Sequence, residues 1–95
     1  MRRAAKVDRN HGEIVAAFRR LGATVEDCAR MGRGFPDLVV GFRGRTLLVE
    51  VKDGARPPSE RQLTPDQVRF HSRWRGHICV VTSVEEVVGV LEGVE

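Results

Sequence analysis

The chain has 95 residues, which predicts one domain over residues 1–95 with a modest core. Its apolar runs are short, which excludes a transmembrane helix, and no apolar signal-peptide core follows the basic N-terminus, so a cytoplasmic location is expected. All 16 Lys and Arg residues fall within residues 1–75, and most are Arg, whose planar guanidinium matches phosphate. This bias indicates nucleic acid as a partner, although an Arg-rich genome would explain it equally well.

Apolar periodicity and turn residues predict the element order αβββαβα, an α/β class with a mixed central β-sheet flanked by helices. After a flexible basic arm over 1–9, the predicted elements are a helix over 11–21, strands over 23–27, 37–41 and 46–52, a helix over 64–75, a strand over 77–82 and a helix over 84–91. Asn10 is expected to cap the first helix, and Thr64 and Gln67 to form a capping box on the second. The strands 37–41 and 46–52 form a hairpin, and the last strand is expected beside it.

Strand 46–52 carries an unusual alternation. Leu47, Val49 and Val51 point to one face of the sheet, and Leu48, Glu50 and Lys52 point to the other. In an internal strand, a buried charge pair is costly unless it has a purpose. The alternative is a solvated Glu50–Lys52 pair on an exposed face, with Asp37 as a turn residue.

These charges suit the hydrolysis of a phosphodiester. Asp37 at the start of one hairpin strand and Glu50 on the other can converge on one divalent cation, and the backbone carbonyl of Val51 can add an oxygen ligand. Lys52 projects from the same face as Glu50, where its ammonium group can orient water and stabilise developing negative charge. The pattern therefore predicts catalytic Asp37, Glu50 and Lys52 with Mg²⁺ or Mn²⁺ as the cofactor.

The same residues resemble a known signature. Pro36-Asp37, twelve intervening residues and Glu50-Val51-Lys52 resemble the PD-(D/E)xK nucleases. Together with Gly34 to Leu38 and Leu63 to Gln67, followed by Phe70-His71, they resemble more narrowly the VRR-NUC family of virus-type replication-repair nucleases, over residues 11–91. The resemblance implies a restriction-endonuclease-like core, Mg²⁺- or Mn²⁺-dependent cleavage of DNA, and a place in DNA repair in a bacterial or phage-infected cell.

The resemblance implies further site residues, each with an alternative. Glu13 matches an acidic residue that the family places on its first helix near the metal, but Glu13 can instead form a capping box with Asn10. Gln67 matches a helix glutamine near the catalytic lysine, and its alternative is the capping box with Thr64. The two roles are expected to conflict unless the helix starts at another residue. His71 shares the helix face of Gln67 and either contacts substrate or packs as a structural residue.

Four loop arginines adjoin the predicted site and are expected to contact DNA phosphates, unless they are solvated loop charges: Arg30, Arg33, Arg56 and Arg61. No motif points to base recognition, which favours structure-selective cleavage of Holliday junctions, flaps or forks. The resemblance and the small core both predict a homodimer. Its surface is either the final helix's apolar stripe, Val84, Val87, Val88 and Leu91, or elsewhere if that stripe is intramolecular core. The competing function is a non-catalytic DNA-binding module with a nuclease fold.

Overall fold

Helices and strands follow one another in the order that the sequence predicts. The computed structural model describes residues 7–94, so residues 1–6 of the predicted basic arm lie outside the described part of the chain. The elements are α1 (His11–Arg20), β1 (Thr24–Asp27), β2 (Leu38–Phe42), β3 (Arg45–Val51), α2 (Pro65–Arg73), β4 (His77–Val81) and α3 (Glu85–Glu92). A 3₁₀ turn, Pro58–Glu60, lies between β3 and α2. The predicted order and the α/β class are confirmed, with ends that shift by a residue or two.

The four strands form one mixed sheet in the order β1-β2-β3-β4. β2 is antiparallel to both β1 and β3, whereas β4 is parallel to β3, as expected for a strand reached through a helical crossover. The antiparallel register places Leu38 opposite Val49, and the parallel register places Val51 beside Val81. This topology brings the end of β1, the start of β2 and the ends of β3 and β4 to one edge of the sheet.

Successive residues of β3 face opposite sides of the sheet, and each side is different. Val49 and Val51 are fully buried in the core that α1 and α3 form against one face. The apolar stripe of α3 belongs mostly to this core, since Val87 and Leu91 are buried and only Val88 is well exposed. That stripe is therefore intramolecular core and does not offer the predicted dimer surface. None of the helices in residues 7–94 is long and apolar enough to span a membrane.

The first helix begins at the predicted residue, His11, but Asn10 does not cap it as predicted. Asn10 makes no side-chain capping bond. Its Nδ2 instead donates to the backbone carbonyls of Lys52 and Thr82, each at 3.0 Å. The predicted cap and the capping box with Glu13 are wrong, because the Asn10 side chain bonds to these carbonyls just past the ends of β3 and β4 and makes no bond to the start of its own helix. The Asn10 side chain thereby ties the start of α1 to the sheet edge that carries the site.

Candidate active site

Asp37 and Glu50 face each other where β2 and β3 meet the sheet edge. The ladder ends with Leu38 opposite Val49, so the next pair outward is Asp37 and Glu50. β2 begins only after Asp37, and the backbone N–H of Val51 donates to Oδ2 of Asp37 at 2.9 Å where a ladder bond would otherwise lie. The structure therefore brings together the two carboxylates that the sequence predicts.

The carboxyl group of Glu50 lies where a negative charge is unfavourable, because Glu50 is only 2% exposed. Burial, followed by the negative charge and close approach of Asp37, raises the pKa of Glu50 to about 8, although Lys52 acts in the opposite direction. Oε2 accepts a hydrogen bond from Nε2 of Gln67 at 2.9 Å, whereas Oε1 is buried and has no partner among residues 7–94. One oxygen of Glu50 is thus held in place, and the other remains available to a ligand.

Lys52 and Gln67 complete the group of interacting side chains. The largely buried Lys52 places Nζ at 3.7 Å from Oε2 of Glu50 and donates a hydrogen bond to Oε1 of Gln67 at 2.9 Å. The same Gln67 oxygen accepts the backbone N–H of Thr64, also at 2.9 Å, in the capping box of α2. A carbonyl oxygen has two lone pairs, so both bonds can form. The expected conflict between the capping and site roles of Gln67 is therefore wrong.

A close backbone contact places α2 beside the loop that leads to Asp37. Gly34 has a φ of +81°, and a Cβ at this position would lie 2.5 Å from the carbonyl carbon of Asp66 and 2.9 Å from the backbone nitrogen of Gln67. The neighbouring Phe35 packs edge-on against Phe70 of α2, with the ring centroids 5.4 Å apart. The loop and the helix therefore fit together only because residue 34 lacks a side chain.

The comparisons with known proteins agree with this geometry. A solved structure described as a VRR_NUC domain matches 93% of this chain and 100% of its own length, with a TM-score of 0.66 and 32% sequence identity. The chain belongs to the VRR-NUC family. No protein-family model and no curated protein sequence matches the chain. Membership identifies a nuclease-family domain, and the predicted signature residues lie together at the sheet edge of this VRR-NUC fold.

The donors at this VRR-NUC site fit a hard divalent cation. Oε1 of Glu50 is a buried carboxyl oxygen without a partner among the described residues, and Asp37 adds a second carboxyl group. The N–H and C=O of a strand residue point to the same side, so the carbonyl of Val51 is directed, like its N–H, toward Asp37. Within residues 7–94, no three Asp, Glu, His or Cys side chains converge as ligands. A cation here would rest on two carboxylates, a carbonyl and water.

His71 and Glu13, two further predicted site residues, occupy different surroundings. His71 is half-buried near Lys52, and burial, followed by the charge of Lys52, lowers the pKa of His71. Its Nε2 is buried without a partner among the described residues. Glu13 is exposed on α1 and lines a separate cleft with Asp53 and Ser83. His71 thus lies near the signature residue Lys52, whereas Glu13 lines a different cleft.

The arginines of the two flanking loops differ in whether they bond to other groups of their own loop. Arg30 and Arg33 are exposed on the loop between β1 and β2. Arg56 forms an ion pair with Glu60 at 2.7 Å, and Nε of Arg61 donates to the backbone carbonyl of Arg56 at 3.0 Å. Arg56 and Arg61 are therefore bonded within their own loop, whereas Arg30 and Arg33 project from the loop that leads to Asp37.

Two residues near the site were not predicted from the sequence to belong to it. Asp8, assigned to the flexible arm, is half-buried and adds a small negative influence on Glu50. Its backbone carbonyl accepts the N–H of His11 at 3.0 Å. Asn10 was assigned only a capping role. No local pattern marks either residue, because both reach the site through contacts between distant parts of the chain.

Proposed function

We propose that this chain is a Mg²⁺- or Mn²⁺-dependent, structure-selective deoxyribonuclease that hydrolyses phosphodiester bonds. The observation that carries the proposal is the facing pair Asp37 and Glu50, held at the sheet edge with Lys52 and Gln67 in hydrogen-bonding contact. Membership in a nuclease family supplies the general chemistry. An intact set of acidic and basic groups favours a working enzyme over a fold that has lost its activity.

Asp37, Glu50 and the carbonyl of Val51 are the residues that would hold the cation. When bound, the ion would neutralise charge on the transferring phosphoryl group and make a water molecule more acidic. The chain's own contribution is to hold the two carboxyl groups in fixed positions. Val51 N–H holds Asp37, and Gln67 holds Glu50, so neither carboxylate must reorganise when the substrate arrives.

Lys52 is the positive group of the site. Its ammonium donates to Gln67 and lies beside Glu50, which limits the positions that Nζ can take. A fixed donor in a largely buried setting stabilises negative charge on a phosphate oxygen or on the attacking water more than a solvated donor would. Lys52 is therefore assigned to the orientation of water and to charge stabilisation.

The proposed substrate is branched or otherwise structured DNA. Arg30 and Arg33 extend from the loop before Asp37, where they can contact phosphates on either side of the cut. Arg56 and Arg61 are proposed as weaker contacts, because their guanidinium groups already have partners in the loop. Phosphate contacts carry no base sequence, so shape is the basis of selection.

A homodimer is proposed on the small size of the domain and on its surface. β4 is an edge strand whose outer backbone groups have no strand neighbour within residues 7–94. Val68, Trp74 and Val80, on or next to α2 and β4, expose 38–51% of their surface. Light scattering at micromolar concentration tests the dimer, and a mass near the 10.6 kDa of one chain would refute it.

The experiment for the activity is incubation with flaps, forks, four-way junctions and plain duplex, each with Mg²⁺, with Mn²⁺ or with chelator. Cleavage should require the metal and should be faster on at least one branched substrate than on duplex. Binding of branched DNA without cleavage in either metal would support the competing function, a non-catalytic DNA-binding module.

A further inference from the structure

A cavity of the described chain adjoins the loop that leads to Asp37 but contains neither catalytic carboxylate. Its volume is about 550 Å³, which is within the range of small-ligand sites. Apolar walls come from Val7, Ala29 and Met31, and polar groups come from His11, Asp27 and Arg30. Val7 and Met31 are 50% and 62% exposed, so the cavity mouth presents apolar side chains to solvent. Such exposure beside polar groups is typical of a binding surface.

His11 provides an independent sign of a ligand. It is 7% exposed, yet its Nδ1 has no hydrogen-bond partner among residues 7–94. Its Nε2 lies 2.8 Å from Oδ2 of Asp27, and a neutral ring that donates this bond retains Nδ1 as an acceptor. Buried polar groups almost always find a partner. The unpaired imidazole nitrogen of this cavity-lining residue therefore remains as an acceptor for a polar group other than those of residues 7–94.

Two backbone contacts tie the cavity to the catalytic pair. The N–H of Cys28, a lining residue, donates to the carbonyl of Asp37 at 2.7 Å. The N–H of His11 donates to the carbonyl of Asp8, whose carboxylate influences Glu50. The cavity and the carboxylates thus share the same loop and the same start of α1.

We propose that the cavity binds the base of an unpaired nucleotide next to the scissile phosphate, which rests on the proposed nuclease function. The apolar walls contact the faces of the base, as sequence-tolerant single-strand sites do. The unpaired nitrogen of His11 and the carboxylate of Asp27 meet its polar edge, and Arg30 contacts the attached phosphate. This occupant accounts for the proposed preference for branched DNA, because only an unpaired or easily unpaired nucleotide can enter the cavity.

The test uses a cleaved branched substrate in which each nucleotide within three positions of the cut is replaced, one at a time, by an abasic residue that retains its phosphate. The wild-type protein should lose about tenfold in kcat/KM at one position and little at the others. Met31→Ser should lose a similar factor on intact DNA and lose nothing more on the DNA that lacks the base at that position. Met31 is mostly exposed, so this variant should fold normally.

The matched control is Leu21→Ser, which removes another exposed apolar side chain from the opposite end of α1. It should leave kcat/KM unchanged on every substrate. Uniform losses at all abasic positions, or independent losses from Met31→Ser and from the missing base, would overturn the proposal.

Absence of cleavage on every branched substrate would refute the proposed function, and the cavity would then be tested by NMR titration. Shifts at residues 28–31 with deoxyadenosine monophosphate, but not with deoxyribose 5-phosphate, would support base binding. Equal responses to the two compounds, or no response, would overturn it.

Discussion

The side-chain oxygen of Gln67 accepts a hydrogen bond from Nζ of Lys52 at 2.9 Å while it also caps the backbone of its own helix. The same side-chain oxygen therefore both caps the start of α2 and positions the ammonium group of Lys52. Loss of the Gln67 side chain should therefore affect both the helix start and the site. Thr64, the other partner of the capping box, allows these two contributions of Gln67 to be separated.

Gln67→Ala should lower kcat by about 10- to 100-fold, because Lys52 and Glu50 lose the group that holds both of them. Thr64→Ala is the matched control. It removes the hydroxyl that accepts the N–H of Gln67 and should cost about 0.5–2 kcal/mol of stability while the side chain of Gln67 remains. Steady-state kinetics and thermal melting measure the two effects. If both variants lose the same activity, Gln67 acts only as a cap.

Lys52→Ala should lower turnover by roughly 10²–10³, the loss expected when one preorganised donor is removed. Mn²⁺ binding should persist, because the ligand oxygens belong to other residues. Calorimetry and single-turnover cleavage give the two values. Parallel losses of Mn²⁺ affinity and turnover would indicate that Lys52 supports the metal site and does not act on the substrate.

Gly34→Ala should destabilise the fold by about 2–4 kcal/mol and lower activity, because the new Cβ collides with the backbone at the start of α2. Gly32→Ala is the control, since Gly32 also has positive φ, at +72°, but has open space around its Cβ position. That variant should incur only the conformational cost, about 1 kcal/mol. Equal effects in the two variants, measured by chemical denaturation, would contradict the close contact.

The metal-free protein should lose stability as the pH rises from about 5 to 8. In the folded chain the pKa of Glu50 is raised to about 8 from 4.5, so the folded state keeps a proton that the unfolded chain releases. Its contribution is fully present below pH 4.5 and is lost by the time the pH passes 8. The difference between wild type and Glu50→Gln should change by on the order of a few kcal/mol across this window. If melting experiments in chelator show the same stability difference between wild type and Glu50→Gln at every pH, the raised pKa of Glu50 is contradicted.

The sequence was sufficient for the core of the site because its signals are local. The two-residue period of β3 places Glu50 and Lys52 on one face, and a tight hairpin fixes the register that sets Asp37 opposite Glu50. The capping box of α2 is likewise a short-range pattern. These features depend on a few neighbouring residues, so they can be predicted without knowledge of the tertiary structure.

The remaining features depend on long-range contacts. Asn10 reaches carbonyls 42 and 72 positions away, which a capping preference cannot anticipate. The double role of Gln67 rests on the geometry of one oxygen between two donors. The exposure of Glu13 depends on how α1 is rotated against the sheet. Patterns of residue type alone do not contain this information.

The metal-binding role of Asp37 and Glu50 is tested by cleavage of a branched DNA in Mn²⁺ by the wild-type protein, Asp37→Asn and Glu50→Gln. Calorimetric Mn²⁺ binding is measured on the same samples. Both substitutions preserve size and remove one charged ligand. Each variant should fold and should lose both Mn²⁺ binding and cleavage. Cleavage at the wild-type rate by either folded variant would contradict the assignment of Asp37 and Glu50 as the metal-binding pair.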